Sequence, residues 1–543
     1  MSKILGIELG STRIKSVLVD EGGTVIAKGI FDWENKLVDG LWGYDIDDAM
    51  RGLAESFAEL AAEYTRKTGE ELTEVDAIGI SGMMHGYLAL DDGDRQVGIF
   101  QTWRNTHTEE AAKELSELFR FNVPQRWSVA QYYQAVLSGE EHVRRAAKLF
   151  TLAGYVHYRL TGNHVSGVGE ASGMFPVAGH DYDGAMIEAF DRRLAERGLA
   201  VSFRQLLPRI LMAGEVAGSL SPDGARLIDP SGRLRPGAQL CPPEGDIQTN
   251  MVCANSIKVG AGNVSAGTSC NLVAVLDKLP STYSPEIDIV STPDGLPAAM
   301  IHSNNCTSEI NVWISLFGEL TALFGKSVPR AELFSHLFQH SLESDNDVGG
   351  LVGYNYLAGE AIAGCETGAL TVSRAPSGRL TLANFMQMQI YSALGALSLG
   401  ADDLRSIGAN ISQVTAAGGY YKTEFVGQNA TSAMFGVPVT VMADAGEGGP
   451  CGMALLAIYM LRVNGERRGQ TCDSAAAASG ERRGQTCDSA GRPSLADFLD
   501  GIFAAVEKTT VMATQDEINK CRRFTERYKK CLDAQRRMTE LMR

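Results

Sequence analysis

The chain has 543 residues, room for two large domains at about 100–200 residues each. Hydrophobic residues at 44% and charged residues at 21% are globular proportions and exclude a disordered polymer. A net charge of −16 argues against nucleic acid and anionic membrane as partners, because an acidic surface repels both.

The start, MSKILGIELG, lacks the long apolar core of a signal peptide, and Glu8 interrupts it. The longest apolar stretch, Cys451 to Val463, contains Arg462 and is too short to span a bilayer, so it reads as a buried helix. Ten scattered Cys with no CxxC pair are expected to be reduced thiols in a cytoplasmic protein.

In chain order, residues 3–9, 14–20 and 24–30 predict a strand meander. They alternate around the turns Gly10-Ser11-Thr12-Arg13 and Glu21-Gly22-Gly23. An amphipathic helix is expected from Asp47 to Lys67, with Asp47 or Asp48 near the N-cap. VDAIGISG and YLALDD read as strands, and residues 106–119 and 140–161 have helical periodicity. Pro222 to Pro243 reads as a loop ending in Glu244-Gly245-Asp246. The strand-rich IKVGAGNVSAGTSCNLVAVL follows, so the domain junction is placed there, giving 1–254 and 255–543. Helices are expected over 309–342 and 383–410, then a strand at VTAA, then a helical stretch near 495–541. Meanders mixed with helices predict an α/β fold. The segment GERRGQTCDSA occurs at 465–475 and again at 480–490. It reads as a solvated surface insertion near 464–494 rather than an RNA-binding hook, since nothing aromatic is interleaved.

A Walker A loop, a strand-linked GxGxxG and an HExxH helix are all absent. His336 and His340 sit i, i+4 without an acidic third ligand and read as an ordinary helix face. Four Gly-centred segments remain: Glu8-Leu9-Gly10-Ser11-Thr12-Arg13, Gly245-Asp246, Ser265-Ala266-Gly267-Thr268-Ser269 and Gly418-Gly419-Tyr420. Small-residue turns point N–H groups and hydroxyls into one concavity, which suits phosphate.

Taken in order, these segments resemble the FGGY carbohydrate kinases, within the actin, Hsp70 and hexokinase superfold. GIELGSTRIKSVLVD is similar to that family's first phosphate motif and SAGTSCNLVAV to its second. EGDIQTN resembles the catalytic GD segment, and GGYYKTEFVGQNATSAMFGVPV the adenosine motif. Glu447 to Ala454 resembles the EAxxxGAA helix, and NYLAGE the PYLxGER segment. ISGMMHGYLALDD and TWRNT resemble the sugar-side segments of the xylulokinase-like branch.

The resemblance implies two actin-like (ribonuclease H-like) α/β domains with a nucleotide and sugar cleft between them. It implies ATP and Mg²⁺, Asp246 as general base, and Glu8 with Asp246 as metal ligands acting largely through water. Gly10, Ser11, Thr12, Arg13, Gly267, Thr268 and Ser269 would cradle phosphates. Gly418, Gly419 and Tyr420 would lie along the nucleotide, and Thr423 at adenine. Met84, His85, Trp103, Arg104 and Asn105 would meet the sugar. Ile247 stands where relatives often have a polar sugar-binding residue, so that contact is lost or Gln248 supplies it. The implied substrate is a ketose, a pentulose such as D-xylulose first, with other ketoses or polyols as alternatives. A catalytically weak sugar-binding regulator and an actin-like ATPase are the competing classes. A homodimer is common in the family. Departures from the pattern are Glu8 for Asp, Asn105 for Asp, Val426 for Trp, and Pro-Gln-Arg-Trp near residue 127.

Overall fold

The computed structural model describes residues 2–443, 448–472 and 493–542, with side chains in the middle segment described through residue 465. Two compact units result. Unit one comprises Met1–Ile257, Ile289–Pro297 and Gly446–Ala505; unit two comprises Lys258–Asp288, Ala298–Ala445 and Val506–Arg543. The first break falls between Ile257 and Lys258, and the chain then returns to unit one twice.

Unit one starts with β1 (Ile4–Leu9), β2 (Arg13–Val19) and β3 (Val25–Asp32), an antiparallel meander. Helix α1 (Ile46–Thr68) follows. Its N-cap is Asp45, slightly earlier than expected, and Gly69 ends it in the left-handed region. Strand β4 (Ala77–Gly82) pairs parallel with β1. β1 and β4 are buried along their whole length, the pattern of parallel strands covered on both faces. The sheet continues through β5 (Gly218–Ser219) and β6 (Gln239–Leu240), giving the order β5-β6-β4-β1-β2-β3. A two-residue strand, β7 (Glu244–Gly245), pairs parallel with the end of β4 and leads directly into α2 (Asp246–Cys253).

Unit two repeats this plan. Strands β8 (Ala261–Ala266), β9 (Cys270–Val275) and β10 (Pro297–Ser303) form the meander. β11 (Gln413–Ala417) and β12 (Val439–Met442) add in parallel, and β13 (Lys508–Val511) closes the edge antiparallel.

Three expectations change. Residues 140–161 are not one helix. A 3₁₀ turn at Glu141–Arg144 and a strand at Lys148–Phe150 precede a helix at Leu152–Thr161. Pairing of Lys148–Phe150 with Leu88–Leu90 overrides the helical periodicity. The loop expected from Pro222 contains a helix, Pro222–Ile228, whose start is legible as a Ser221 N-cap with Pro at N1. The C-terminal helical stretch is broken by β13, which satisfies a sheet edge.

The chain re-enters unit one as α3 (Gly448–Cys472). This helix covers β1, β4 and α2 at backbone distance. A Cβ on Gly6 would overlap the Pro450 carbonyl, one on Gly452 the Thr249 carbonyl, and one on Gly79 would lie 2.5 Å from Met453 O. Only glycine permits that approach. The buried run Met453–Met460 is the core helix expected from the apolar stretch. The duplicated segment and Glu447 lie mostly outside the described residues. Among the described residues, no helix is long and apolar enough to cross a membrane.

Gly452→Val forces its side chain into the Thr249 backbone. It is expected to cost about 1–3 kcal/mol, the usual penalty of overpacking, read as a lower midpoint of thermal unfolding. A midpoint equal to wild type would contradict this packing.

Candidate active site

The register of three parallel strands builds the site. Glu8 pairs with Ser81, and Ser81 with Glu244, so all three stand abreast on β1, β4 and β7. Asp246 opens α2 just past the end of β7. Such a position, outside the carboxyl ends of parallel strands, is where open α/β sheets bind ligands. Met84 N–H donates to Asp246 Oδ1 at 3.1 Å. An open cleft of ≈ 810 Å³ in unit one is lined by Glu8, Gly10–Arg13, Lys15, Asp32, Trp33, Glu34 and Asp246. Its four carboxylates outnumber its two cations.

Glu8 is buried, and Lys15 Nζ donates to its Oε2 at 3.1 Å. The methylene by which Glu exceeds Asp is accommodated by Gly449, where a Cβ would overlap the Glu8 carboxylate. Burial first, and the charge of Glu8 second, push Asp246 up from 3.8 to about 6. It is therefore ionised at neutral pH but easily protonated in mild acid. Its folded value lies above its unfolded one, so stability from the protonated form is full below about pH 4 and is lost as pH rises through 6.

The first turn is held from behind. Trp33 Nε1 donates to Gly10 O at 2.7 Å, Tyr44 OH to Ser11 O at 2.6 Å, and Trp33 stacks on Tyr44 at 4.2 Å. With these carbonyls engaged, Thr12 and Arg13 stand exposed at the cleft, Arg13 paired with Asp32 at 2.9 Å.

Among the residues expected to meet the sugar, Trp103 Nε1 donates to Ser11 Oγ at 3.3 Å, which joins its loop to the first turn. Arg104 lies over the Trp42 ring at 4.6 Å. Asn105 is buried and spends its amide on Trp42, accepting from Trp42 N at 2.8 Å and donating to Trp42 O at 2.8 Å. The structure thus gives Asn105 a positioning role rather than the expected sugar contact. Met84 and His85 are buried, and His85 takes the left-handed conformation at φ 70. Burial first, then the Arg126 charge, keeps the His85 imidazole neutral. Gln248 is fully buried and its Nε2 donates to Ser291 O at 3.0 Å.

In unit two, the Gly267–Ser269 turn is anchored by its carbonyls. Thr307 N and Oγ1 donate to Gly267 O at 3.0 and 2.6 Å, and Cys306 N to Thr268 O at 2.9 Å. Thr268 is exposed. Gly418, at φ 111, brings the second glycine turn onto β8, where a Cβ would overlap the Ala266 carbonyl. Gly419 faces open space. Tyr420 departs from the expectation of lying along the nucleotide. Its ring is fully buried and its hydroxyl donates to Ile390 O at 2.8 Å, because the turn needs a core anchor there. Thr423 is likewise buried, so adenine contact through its side chain is not supported.

Models of the N-terminal and C-terminal domains of the FGGY family of carbohydrate kinases match residues 3–229 and 262–461. The chain belongs to the FGGY family. The gluconokinase of Bacillus subtilis is 25% identical over 291 residues, 51% of this chain and 52% of that enzyme. The xylulose kinase of Klebsiella pneumoniae is 24% identical over 280 residues, 49% of this chain and 53% of that enzyme. The chain thus spans about half the length of these relatives. The ligand-bound xylulose kinase structure from Lactobacillus acidophilus superposes with a TM-score of 0.76 at 15% identity, covering 98% of each chain. The chain therefore shares the fold of that structure, and each of its two units is α/β.

In this FGGY chain Lys15, Glu170 and Glu244 lie near Glu8 and Asp246 without having been expected there. Lys15 follows the first turn at strand spacing, and its place two residues from Arg13 was the available signal. Glu170, on the short helix Val168–Ala171, and Glu244 are buried together, Glu170 N donating to Glu244 Oε2 at 2.8 Å. Burial pushes Glu244 up to about 8. The closely spaced Gly167 and Gly169, where any Cβ would strike Glu244, were its signal.

Glu8→Gln removes the negative neighbour of Asp246. The Asp246 midpoint should fall below 6 in a carboxyl ¹³C NMR titration, and an unchanged midpoint would refute the coupling. Gly418→Ala, which is strained at φ 111 and overlaps Ala266, should weaken ADP binding at least about tenfold by calorimetry.

Proposed function

We propose that this chain transfers the γ-phosphoryl group of ATP to a hydroxyl of a ketose, a pentulose such as D-xylulose first, with Asp246 as general base. The observation that carries the reading is Asp246 itself. It sits at the mouth of a strand-end cleft, held by Met84 N–H, with its carboxyl raised to about 6 beside the first glycine turn.

Phosphoryl transfer demands positioning and charge neutralisation more than covalent chemistry. Asp246 accepts the hydroxyl proton as the bond to phosphorus forms. A carboxylate near 6 is a better acceptor than one at its ordinary value. Gly10 N–H closes the turn on Arg13 O at 2.9 Å, and the backbone N–H groups of Ser11–Arg13 together with Lys15 would meet the phosphates. The surplus of carboxylates in the cleft suits a divalent cation arriving with the nucleotide, and Glu8 and Asp246 would hold Mg²⁺ through its waters. The bound ion would neutralise phosphate charge. Trp103 and His85 would orient the sugar, and the Gly267–Ser269 and Gly418–Gly419 turns would serve the nucleotide. A cytoplasmic location follows from the need for ATP. The likeness to gluconokinase supports an aldonate as the second reading of the substrate.

A coupled ADP-release assay over ketoses, polyols and aldonates tests the proposal. Sugar-dependent turnover is expected, and Asp246→Asn should lower kcat by about 10²–10⁴-fold while leaving ATP binding intact. Sugar-independent ADP release, sugar binding without turnover, or a fully active Asp246→Asn enzyme would each overturn it. The acid limb of the wild-type pH–rate profile should lie near 6, with activity lost as Asp246 is protonated.

A further inference from the structure

Four buried side chains around Met84–Gly86 carry hydrogen-bonding atoms that meet no partner. They are His85 Nε2, Trp127 Nε1, both carboxyl oxygens of Glu170, and Gln248 Oε1. Each of these residues is at most 4% exposed. Thr151 neighbours Glu170 only outside hydrogen-bond geometry. Orphans of this kind are rare, because hydrogen bonds to water are given up without replacement, and four in one place call for a missing partner.

The four surround one spot. Gly86 N donates to Arg126 O at 3.4 Å and Ser128 Oγ to Gly86 O at 2.5 Å, which ties the 126–128 segment to His85. The His85 and Trp127 rings lie 6.4 Å apart, nearly parallel. From the other side, a Cβ on Gly245 would sit 2.5 Å from Glu170 Oε2, 2.7 Å from Gln248 Oε1 and 2.9 Å from Met84 Cγ. One on Gly173 would sit 2.7 Å from both His85 Nδ1 and Met84 Cε. Met84 therefore spans the space that the four groups enclose, and its backbone N–H holds the general base. Methionine, unbranched and flexible, swings aside more readily than other residues of its size.

We infer that Glu170 is a substrate-specificity residue of the sugar site, pairing through its carboxyl with sugar hydroxyls distant from the one phosphorylated, while Trp127 Nε1 and Gln248 Oε1 complete the set. This rests on the sugar-kinase reading above. Burial, reinforced by Glu244 and Asp246, keeps the Glu170 proton on. Glu170 thus both donates and accepts; neutral His85, whose Nδ1 donates to Gly173 O at 3.4 Å, presents Nε2 as an acceptor, while Trp127 donates and Gln248 Oε1 accepts. A neutral polyhydroxy compound presents the matching mixture.

Calorimetric binding of the best panel sugar to the full chain, without ATP, tests this apart from turnover. Glu170→Leu should weaken sugar binding at least tenfold, with the sugar-free melting temperature unchanged or raised, because an orphan has been removed. Glu170→Gln, which still hydrogen-bonds, should stay within threefold of wild type. Trp127→Phe should also weaken binding at least tenfold, and it carries the test if Glu170→Leu does not fold. A deoxy sugar lacking the contacted hydroxyl should bind wild type and Glu170→Leu alike. Wild-type affinity in both Glu170→Leu and Trp127→Phe would overturn the inference. So would a lowered melting temperature with unchanged affinity, or a wild type that binds no sugar. A wild type that binds sugar but turns none over defeats the kinase reading and leaves this one standing.

Discussion

Unit one depends on a helix that touches its central strands without side chains in between. Helix α3 comes from late in the chain, yet it lies on β1, β4 and α2 through Gly6, Gly79 and Gly452. Backbone-to-backbone contact fixes spacing more tightly than interdigitated side chains, since nothing remains to change rotamer. The same contact sets the site. Gly449 leaves the room that Glu8 fills, and α2, clamped by Gly452, begins at Asp246. The two carboxylates are held by the packing that closes the core.

Charge in the cleft follows from burial as much as from pairing. Glu8 is partnered by Lys15, whereas Asp246 is held by the backbone N–H of Met84. Behind them, Glu170 and Glu244 occupy a space that glycines at 167, 169 and 245 leave open. These two carboxyls retain protons where Asp246 ionises, so the nearby acids take different roles from environment alone. Asp246 thereby stands as an ionised carboxylate in front of two protonated ones.

Unit two shows how much scaffolding the Gly267–Ser269 turn requires. Buried Glu360 accepts from Ser303 Oγ at 2.7 Å and Asn305 Nδ2 at 3.2 Å. Asn305 in turn holds Gly359 O and Ala358 N, and the next residue, Cys306, holds Thr268 O. The NYLAGE segment thus acts on the Gly267–Ser269 turn through a chain of hydrogen bonds, without facing the turn itself.

Much of this was legible in the sequence. Period-2 alternation and Gly-rich turns located β1 to β3, the apolar run located α3, and the ordered Gly-centred motifs located Asp246 and both glycine turns. These are local signals: backbone conformation and burial written over ten or twenty residues. What failed was non-local. Lys148–Phe150 became a strand because Leu88–Leu90 needed a partner. Tyr420 turned inward because Ile390 offered an acceptor. Asn105 was consumed by Trp42, 63 residues away. Lys15, Glu170 and Glu244 came to lie near Glu8 and Asp246 through strand register and glycine gaps whose partners are distant in the chain. Fold class, family and the residue proposed as the base are encoded in contiguous motifs, and so could be read from the chain alone. Which side chains are spent on scaffolding and which are left to meet a ligand emerged only on folding, because hydrogen-bond satisfaction and burial depend on neighbours distant in the chain.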